Sequence, residues 1–236
     1  MRQLLPRPAD DLSDDDLLAA YGHGERMLRV NFVSSADGAV TLEEKSAGLS
    51  GPADKRVFGL LRDLADVVLV AAGTIRGEGY GYPDFSERRR ERRRRLGLAE
   101  LPTFAIVSRS LGLDLSSSLF TDPPVRTVVL ATSGAVAGAE LRAHADVLEV
   151  PDLAAGIDAL RRRGLGRILC EGGPSLFASL VGDGLVDELA LTVSPLLAGP
   201  GPGRIVAGPP HPPAGLDLRH VLEEDGNLFL RYAVRG

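Results

Sequence analysis

Between Asp66 and Ala72 the chain reads D-V-V-L-V-A-A, a run that is apolar on both alternating faces. Such a strand has to be covered above and below, as in a parallel sheet layered by helices. Short runs of similar character recur at Met27 to Ser35, Thr103 to Val107, Val125 to Ala131, Arg167 to Cys170 and Glu188 to Val193. Ala39 to Leu42 is a candidate continuation of the first. Segments with helical spacing lie between them. Val57, Phe58, Leu60, Leu61 and Leu64 follow a Ser50-Gly51-Pro52 start and form one apolar face, and Leu153 to Arg163 and Pro174 to Val181 repeat the pattern. The tail from Val221 to Val234 breaks at Asp225-Gly226, a hairpin signal. The expected fold is α/β: a mixed, mainly parallel sheet flanked by helices, with a C-terminal antiparallel hairpin. Residues 1–26 read as an N-terminal extension and 27–236 as a single domain. The Arg-rich stretch Arg88 to Arg95 and the Pro/Gly-rich stretch 199–215 read as long loops rather than domain boundaries.

A net charge of −5 provides no broad basic field for nucleic acid or an anionic membrane. The Arg88 to Arg95 cluster is the local exception; it reads as a solvated helix face or loop, with a phosphate-facing or lid role as the alternative. No apolar stretch approaches the ~20 residues needed to span a bilayer, and Met1 to Pro8 lacks a signal-peptide core, so the expected location is cytoplasmic. Cys170, the single cysteine, sits in an apolar run and is expected to be buried and inert. His23, His144, His211 and His220 show no metal-ligand spacing, so no metal is expected. The dinucleotide fingerprint G-x-G-x-x-G, the P-loop and the nucleophile elbow G-x-S-x-G are absent after the strands.

In open α/β sheets ligands bind beyond the carboxyl ends of the strands. Four such ends stand out: Ser34 to Gly38, Ala72 to Arg76, Ser108 to Ser110, and Glu171-Gly172-Gly173-Pro174-Ser175. In the last, an acid ends a strand, two glycines permit close backbone approach and a proline opens a helix whose free N–H groups suit a phosphate. A tight turn without a ligand is the competing reading. The inventory of acids, hydroxyls and glycines fits a binder, or an enzyme whose cofactor carries the hard chemistry.

Taken together, these segments resemble the reductase domain of riboflavin biosynthesis, the C-terminal half of bifunctional pyrimidine deaminase–reductases. The resemblance rests on Asn31 to Gly38, Ser50-Gly51-Pro52 through Arg62, Val68 to Thr74, Glu171 to Leu176, Leu185 to Leu189 and Ser194 to Gly199. It spans roughly residues 27 to 234. It implies a dihydrofolate reductase-like fold, a homodimer, and NADPH as the reductant of a ribosyl group on a 5′-phosphorylated aminopyrimidinedione. It places Val33, Thr74, Glu78, Ser108, Arg109 and Gly172, Gly173, Pro174, Ser175 and Leu176 around the cofactor. Ser46, Arg62 and Glu171 fall around the phosphorylated substrate, with Asp37 and Glu171 near the reacting centre; Asp37 has holding its loop as an alternative role. Ser108, Arg109 and Thr132-Ser133 are the groups expected at the 2′-phosphate.

Two departures accompany the resemblance. The zinc deaminase domain of bifunctional members has no counterpart here, and one cysteine could not supply it. Gly77-Glu78-Gly79-Tyr80-Gly81-Tyr82 also stands where other members carry a D-D-P-x-L loop that shapes the substrate end. The alternatives are therefore an NADPH reductase of another substrate, such as dihydrofolate or a dihydropterin, and a non-catalytic NADPH-binding protein.

Overall fold

The computed structural model describes residues 1–201 and 203–235. In chain order, β1 (Arg2–Leu5) and α1 (Asp14–Tyr21) precede β2 (Met27–Ser35), a 3-10 turn (Ser46–Gly48) and α2 (Pro52–Asp63). Then come β3 (Val67–Ala71), α3 (Ala72–Glu78), α4 (Glu87–Arg95), β4 (Thr103–Ser108), α5 (Ser118–Thr121) and β5 (Val128–Ala131). The rest is α6 (Ala139–His144), β6 (Asp146–Glu149), α7 (Leu153–Arg162), β7 (Arg167–Cys170), α8 (Pro174–Gly182), β8 (Glu188–Ser194), β9 (Leu216–Glu224) and β10 (Asn227–Val234).

The strands form one sheet in the order β1-β9-β10-β8-β2-β7-β3-β4-β5-β6. From β8 to β6 every neighbouring pair is parallel, while β8, β10, β9 and β1 pair antiparallel. This is the α/β arrangement expected, terminal hairpin included. Its central strand is apolar on both faces for a visible reason. Val67 and Leu69 enter a core shared with α7 and α8, whereas Val68 and Val70 enter a core on the other face with Ile75, Leu119 and Leu141. Residues 1–26 supply β1, which pairs with β9, and α1, whose Leu17, Leu18 and Tyr21 join a third cluster against α2.

Three local expectations are corrected. Ala39 to Leu42 does not extend β2, because Gly38 at φ +89 turns the chain back and Ser35 N–H donates to the Ala39 carbonyl. Phe58 does not join the apolar face of α2; it lines a cavity, with the Arg62 guanidinium 4.3 Å from its ring centre. The Arg-rich stretch is neither a loop nor wholly solvated. It forms α4, in which Arg92 and Arg93 are buried.

The reason is visible in their partners. Arg93 Nη1 donates to the carbonyls of Arg62, Asp63 and Ala65 at 2.9, 3.2 and 2.7 Å. It thereby satisfies carbonyls that the end of α2 leaves without intrahelical partners. Arg92 bridges Asp63 and Asp14, and Arg89 bonds Asp63 and the Gly59 carbonyl. Burial pushes the Arg93 pKa down to about 10. An arginine helix thus fastens the turn of α2 that carries Arg62.

Candidate active site

The parallel strands aim their carboxyl ends at one edge of the sheet, and a cavity of about 460 Å³ opens there. One wall comes from β2 through Asn31, Phe32 and Val33. A second is the outer face of α2, presenting Lys55, Phe58 and Arg62 at positions i, i+3 and i+7. Thr74, Glu78 and Tyr80, in and after α3, and Ser46 in the 3-10 turn close the sides. Glu171, Gly173 and Pro174 form the end of the cavity beyond β7.

Glu171 is the chemical centre of this arrangement. Its side chain is only 1% exposed, so its charge requires a partner. Arg62 supplies it with two parallel bonds, Nε to Oε1 at 2.6 Å and Nη2 to Oε2 at 2.7 Å. Tyr80 donates its hydroxyl to Oε2 at 2.8 Å. A carboxylate has about four lone-pair sites, and three are used; the fourth, on Oε1, has no partner among the described residues. Burial works against the Arg62 charge, but the Glu171 carboxylate outweighs it and the guanidinium pKa rises. Burial, then the Glu171 charge, pushes the Tyr80 phenol well above its ordinary value.

The glycines beside Glu171 are required by contact. A Cβ on Gly173 would sit 2.6 Å from Thr74 Oγ1, and one on Gly172, at φ +92, would meet the Phe32 ring at 3.0 Å. α8 begins directly after them, and its N-cap, Gly173, provides no side-chain bond to the first N–H groups. Those donors and the Thr74 hydroxyl match a phosphate-bearing dinucleotide in chemistry. A second cavity, also about 460 Å³, lies at the ends of β4 and β5 and is lined by Arg109, Ser110, Leu111 and Glu140.

The structure sorts the residues picked from the sequence. Val33, Ser46, Arg62, Thr74, Glu78, Glu171, Gly173 and Pro174 meet around the first cavity, and Arg109 reaches the second. Ser46 N–H donates to Glu78 Oε1 at 3.0 Å, tying the 3-10 turn to α3. Arg62, expected against a phosphate, has two of its three nitrogens engaged by Glu171, because the buried carboxylate needs a full counter-charge.

Asp37 lines neither cavity. Its carboxylate accepts from the Ser35 hydroxyl and from the N–H groups of Ala198 and Gly199, and these bonds hold its pKa near 2. The role it shows is the alternative one of fixing a loop. Ser108 is buried and accepts from Leu111 N–H, Ser175 points outward, Leu176 enters the core, and Thr132 and Ser133 line neither cavity. Cys170 is buried, and burial raises its thiol to about 12. Among the described residues no three His, Cys, Asp or Glu side chains gather as a metal site, and no helix is long and apolar enough to cross a membrane.

Sequence reasoning missed Lys55, Phe58 and Asn31 as cavity residues and reached Tyr80 only as part of the Gly77 to Tyr82 loop. The spacing of Lys55, Phe58 and Arg62 was an available signal, since it marks one helix face opposite the core-facing leucines. For Tyr80 no local pattern existed, because its role depends on Glu171, which is 91 residues away.

The sequence and fold have counterparts among known proteins. A 2,5-diamino-6-ribosylamino-4(3H)-pyrimidinone 5′-phosphate reductase of Archaeoglobus fulgidus is 29% identical over 178 residues, covering 72% of this chain and 80% of that protein. A pyrimidine reductase-like protein from Corynebacterium diphtheriae has 27% identity and a TM-score of 0.81, over 93% of this chain and 95% of the other. RibD from Acinetobacter baumannii, at 18% identity and a TM-score of 0.74, shares the fold over 89% of this chain and 58% of its own. Residues 26–227, which contain every wall of the first cavity, match the RibD C-terminal domain, and the chain belongs to that family.

Proposed function

We propose that this protein is an NADPH-dependent reductase of riboflavin biosynthesis that converts the ribosyl group of 5-amino-6-(5-phosphoribosylamino)uracil to ribityl. The observation that carries this reading is the buried Arg62–Glu171–Tyr80 group at the end of the cavity, which leaves one carboxylate position without a partner beside a glycine turn. Val33, Thr74, Glu78 and the turn from Gly172 to Leu176 hold the dinucleotide, with the Ser108-Arg109 loop at its 2′-phosphate end. NADPH held there would supply the hydride for C1′ of the sugar, a reduction that opens the C1′–O4′ bond and leaves O4′ as a hydroxyl with a proton from solvent. Glu171 receives a sugar hydroxyl on its open position, and Arg62 and Tyr80 keep the carboxylate from rotating away. Ser46, on the side of the same cavity, is a further donor to the substrate. The chain acts as a cytoplasmic homodimer whose single reductase domain spans 27–236, with residues 1–26 as its N-terminal extension.

The Archaeoglobus relative favours a second reading of the substrate. The compound in its name differs from the uracil at C2 of the pyrimidine, which carries an amino group instead of oxygen. Both compounds present the same ribosylamino phosphate to Glu171. The test offers each compound, dihydrofolate and a dihydropterin to the protein and follows nicotinamide oxidation. Turnover of a ribosylaminopyrimidine phosphate is expected, with a lower KM for NADPH than for NADH. Turnover of dihydrofolate or dihydropterin alone, or binding of NADPH with no turnover, overturns the proposal.

A further inference from the structure

A phosphorylated substrate brings close to two negative charges into a cavity whose own charges are mostly negative. Glu44, Asp54, Glu78 and Glu171 line it, against two cations, Arg62 and Lys55. Arg62 is neutralised by its bidentate contact with Glu171. Of the other cations on α2, Arg56 is paired with Asp14, whereas Lys55 has no ion-pair partner among the described residues. It is exposed, lies seven residues before Arg62 on the same face of α2, and lines the cavity. A lysine ammonium on a flexible stem suits a terminal phosphate, which needs a point charge and no fixed planar fork.

We propose that Lys55 is the specificity-determining residue for the substrate's phosphate monoester, and that Arg62 holds Glu171 and leaves the phosphate to Lys55. The proposal rests on the reading of the cavity as the site of a ribosylamino phosphate. It assigns the two cations separate tasks: Lys55 selects what enters, and Arg62 orients the group that meets the sugar.

The first test compares wild type, Lys55→Ala and Lys55→Arg on the phosphorylated pyrimidine and on its dephosphorylated riboside. Lys55→Ala is expected to raise KM for the phosphorylated compound by roughly 10-fold, the low end for a charge-assisted bond at an exposed site, with KM for NADPH unchanged. On the riboside the loss is at most about twofold, and Lys55→Arg recovers most of the difference. Added salt raises the wild-type KM and has little effect on that of Lys55→Ala. Equal losses on both compounds, or a raised KM for NADPH, overturn the assignment.

The second test does not depend on turnover. The chain contains two lysines, Lys45 and Lys55, so a protein carrying isotope-labelled lysine gives two side-chain signals, assigned by Lys45→Arg. Ribose 5-phosphate is expected to move the Lys55 signal, and ribose is expected to leave it in place. If the Lys45 signal or neither moves, Lys55 does not read the phosphate. If Lys55 responds but no pyrimidine is reduced, the reaction assignment fails and the phosphate site stands.

Discussion

Two buried glutamates sit at opposite edges of the same sheet, and arginine neutralises both. Glu188 opens β8 at the amino edge, where Arg29 donates Nε and Nη2 to Oε2 and Arg231 donates Nε and Nη2 to Oε1. All of its acceptor sites are filled, and the arginines go on to bond the carbonyls of Ala20, Tyr21 and Gly22. Glu171 follows β7 at the carboxyl edge and has one arginine, one neutral phenol and one open position. The pair at the amino edge is a closed lock that fastens the end of α1 to the sheet. The pair at the carboxyl edge is incomplete, and its incompleteness is what a ligand can use. Strand direction decides which is which, since only the carboxyl ends of the parallel strands border the cavity.

The comparison breaks most visibly if the two carboxylates lose their charge. Glu188→Gln leaves Arg29 and Arg231 side by side in a buried site, and is expected to cost about 3–5 kcal/mol of stability. That should appear as a fall in Tm on the order of 10 °C, with kcat of the remaining folded protein little changed. Glu171→Gln should also lower Tm, because it leaves the buried Arg62 without its counter-charge, but it should in addition lower kcat/KM by roughly 10- to 150-fold. Two variants with the same balance of activity and stability loss would mean that both pairs are structural.

Lowering the pH tests the lock alone. His23 and His220 lie beside it; burial first, then the charges of Arg29 and Arg231 respectively, push each pKa from 6.5 down to about 4. Both are neutral in the fold, and the unfolded chain binds protons more readily between those values. Their stabilising effect is therefore complete above pH 6.5 and is lost as the pH falls toward 4. His220 is almost fully buried and His23 only half so, which sets the expected loss between pH 7 and pH 5 at about 2–3 kcal/mol for the two together. Urea midpoints should fall over that range in the wild type and fall less in His220→Phe. A midpoint flat from pH 7 to 5 removes the histidines from the account.

The smallest effect sharpens the other side. Tyr80→Phe keeps the ring beside Arg62 and deletes only the hydroxyl bond to Glu171, worth about 1.5 kcal/mol at the low end for a bond to a charged group. A fall in kcat of about 10-fold is expected, with Tm and KM for NADPH preserved. Loss of Tm without loss of kcat would make Tyr80 a packing residue.

What could be read from the chain follows the same division. β2, β3, β4, β5, β7, β8 and the hairpin were legible because continuous apolar runs report burial locally. β1 and α1 were not, since the N-terminal segment is rich in proline and aspartate and gains its order from β9 and α2. α4 was hidden because it has no apolar stripe; its buried face is made of guanidinium groups whose partners lie on α2. The loop 199–215 was read correctly as irregular for the residues described. At the site, the strand-end acid, glycines and threonine were legible from turn chemistry. The Arg62–Glu171 contact, across 109 residues, was not.

The arginine cap on α2 has a consequence for how the protein opens. Arg93 ties α4 to the carbonyls of Arg62, Asp63 and Ala65, so the last turn of α2 cannot fray unless α4 is released as well. The two segments form one cooperative unit held by ionic and hydrogen-bonded contacts. Guanidinium ions imitate the group that does the holding, and they screen charge as urea does not. The active-site turn is therefore exposed to displacement by a solute chemically equivalent to its own clasp, and guanidinium salts would loosen it before the hydrophobic layers around β3 and β7 are touched.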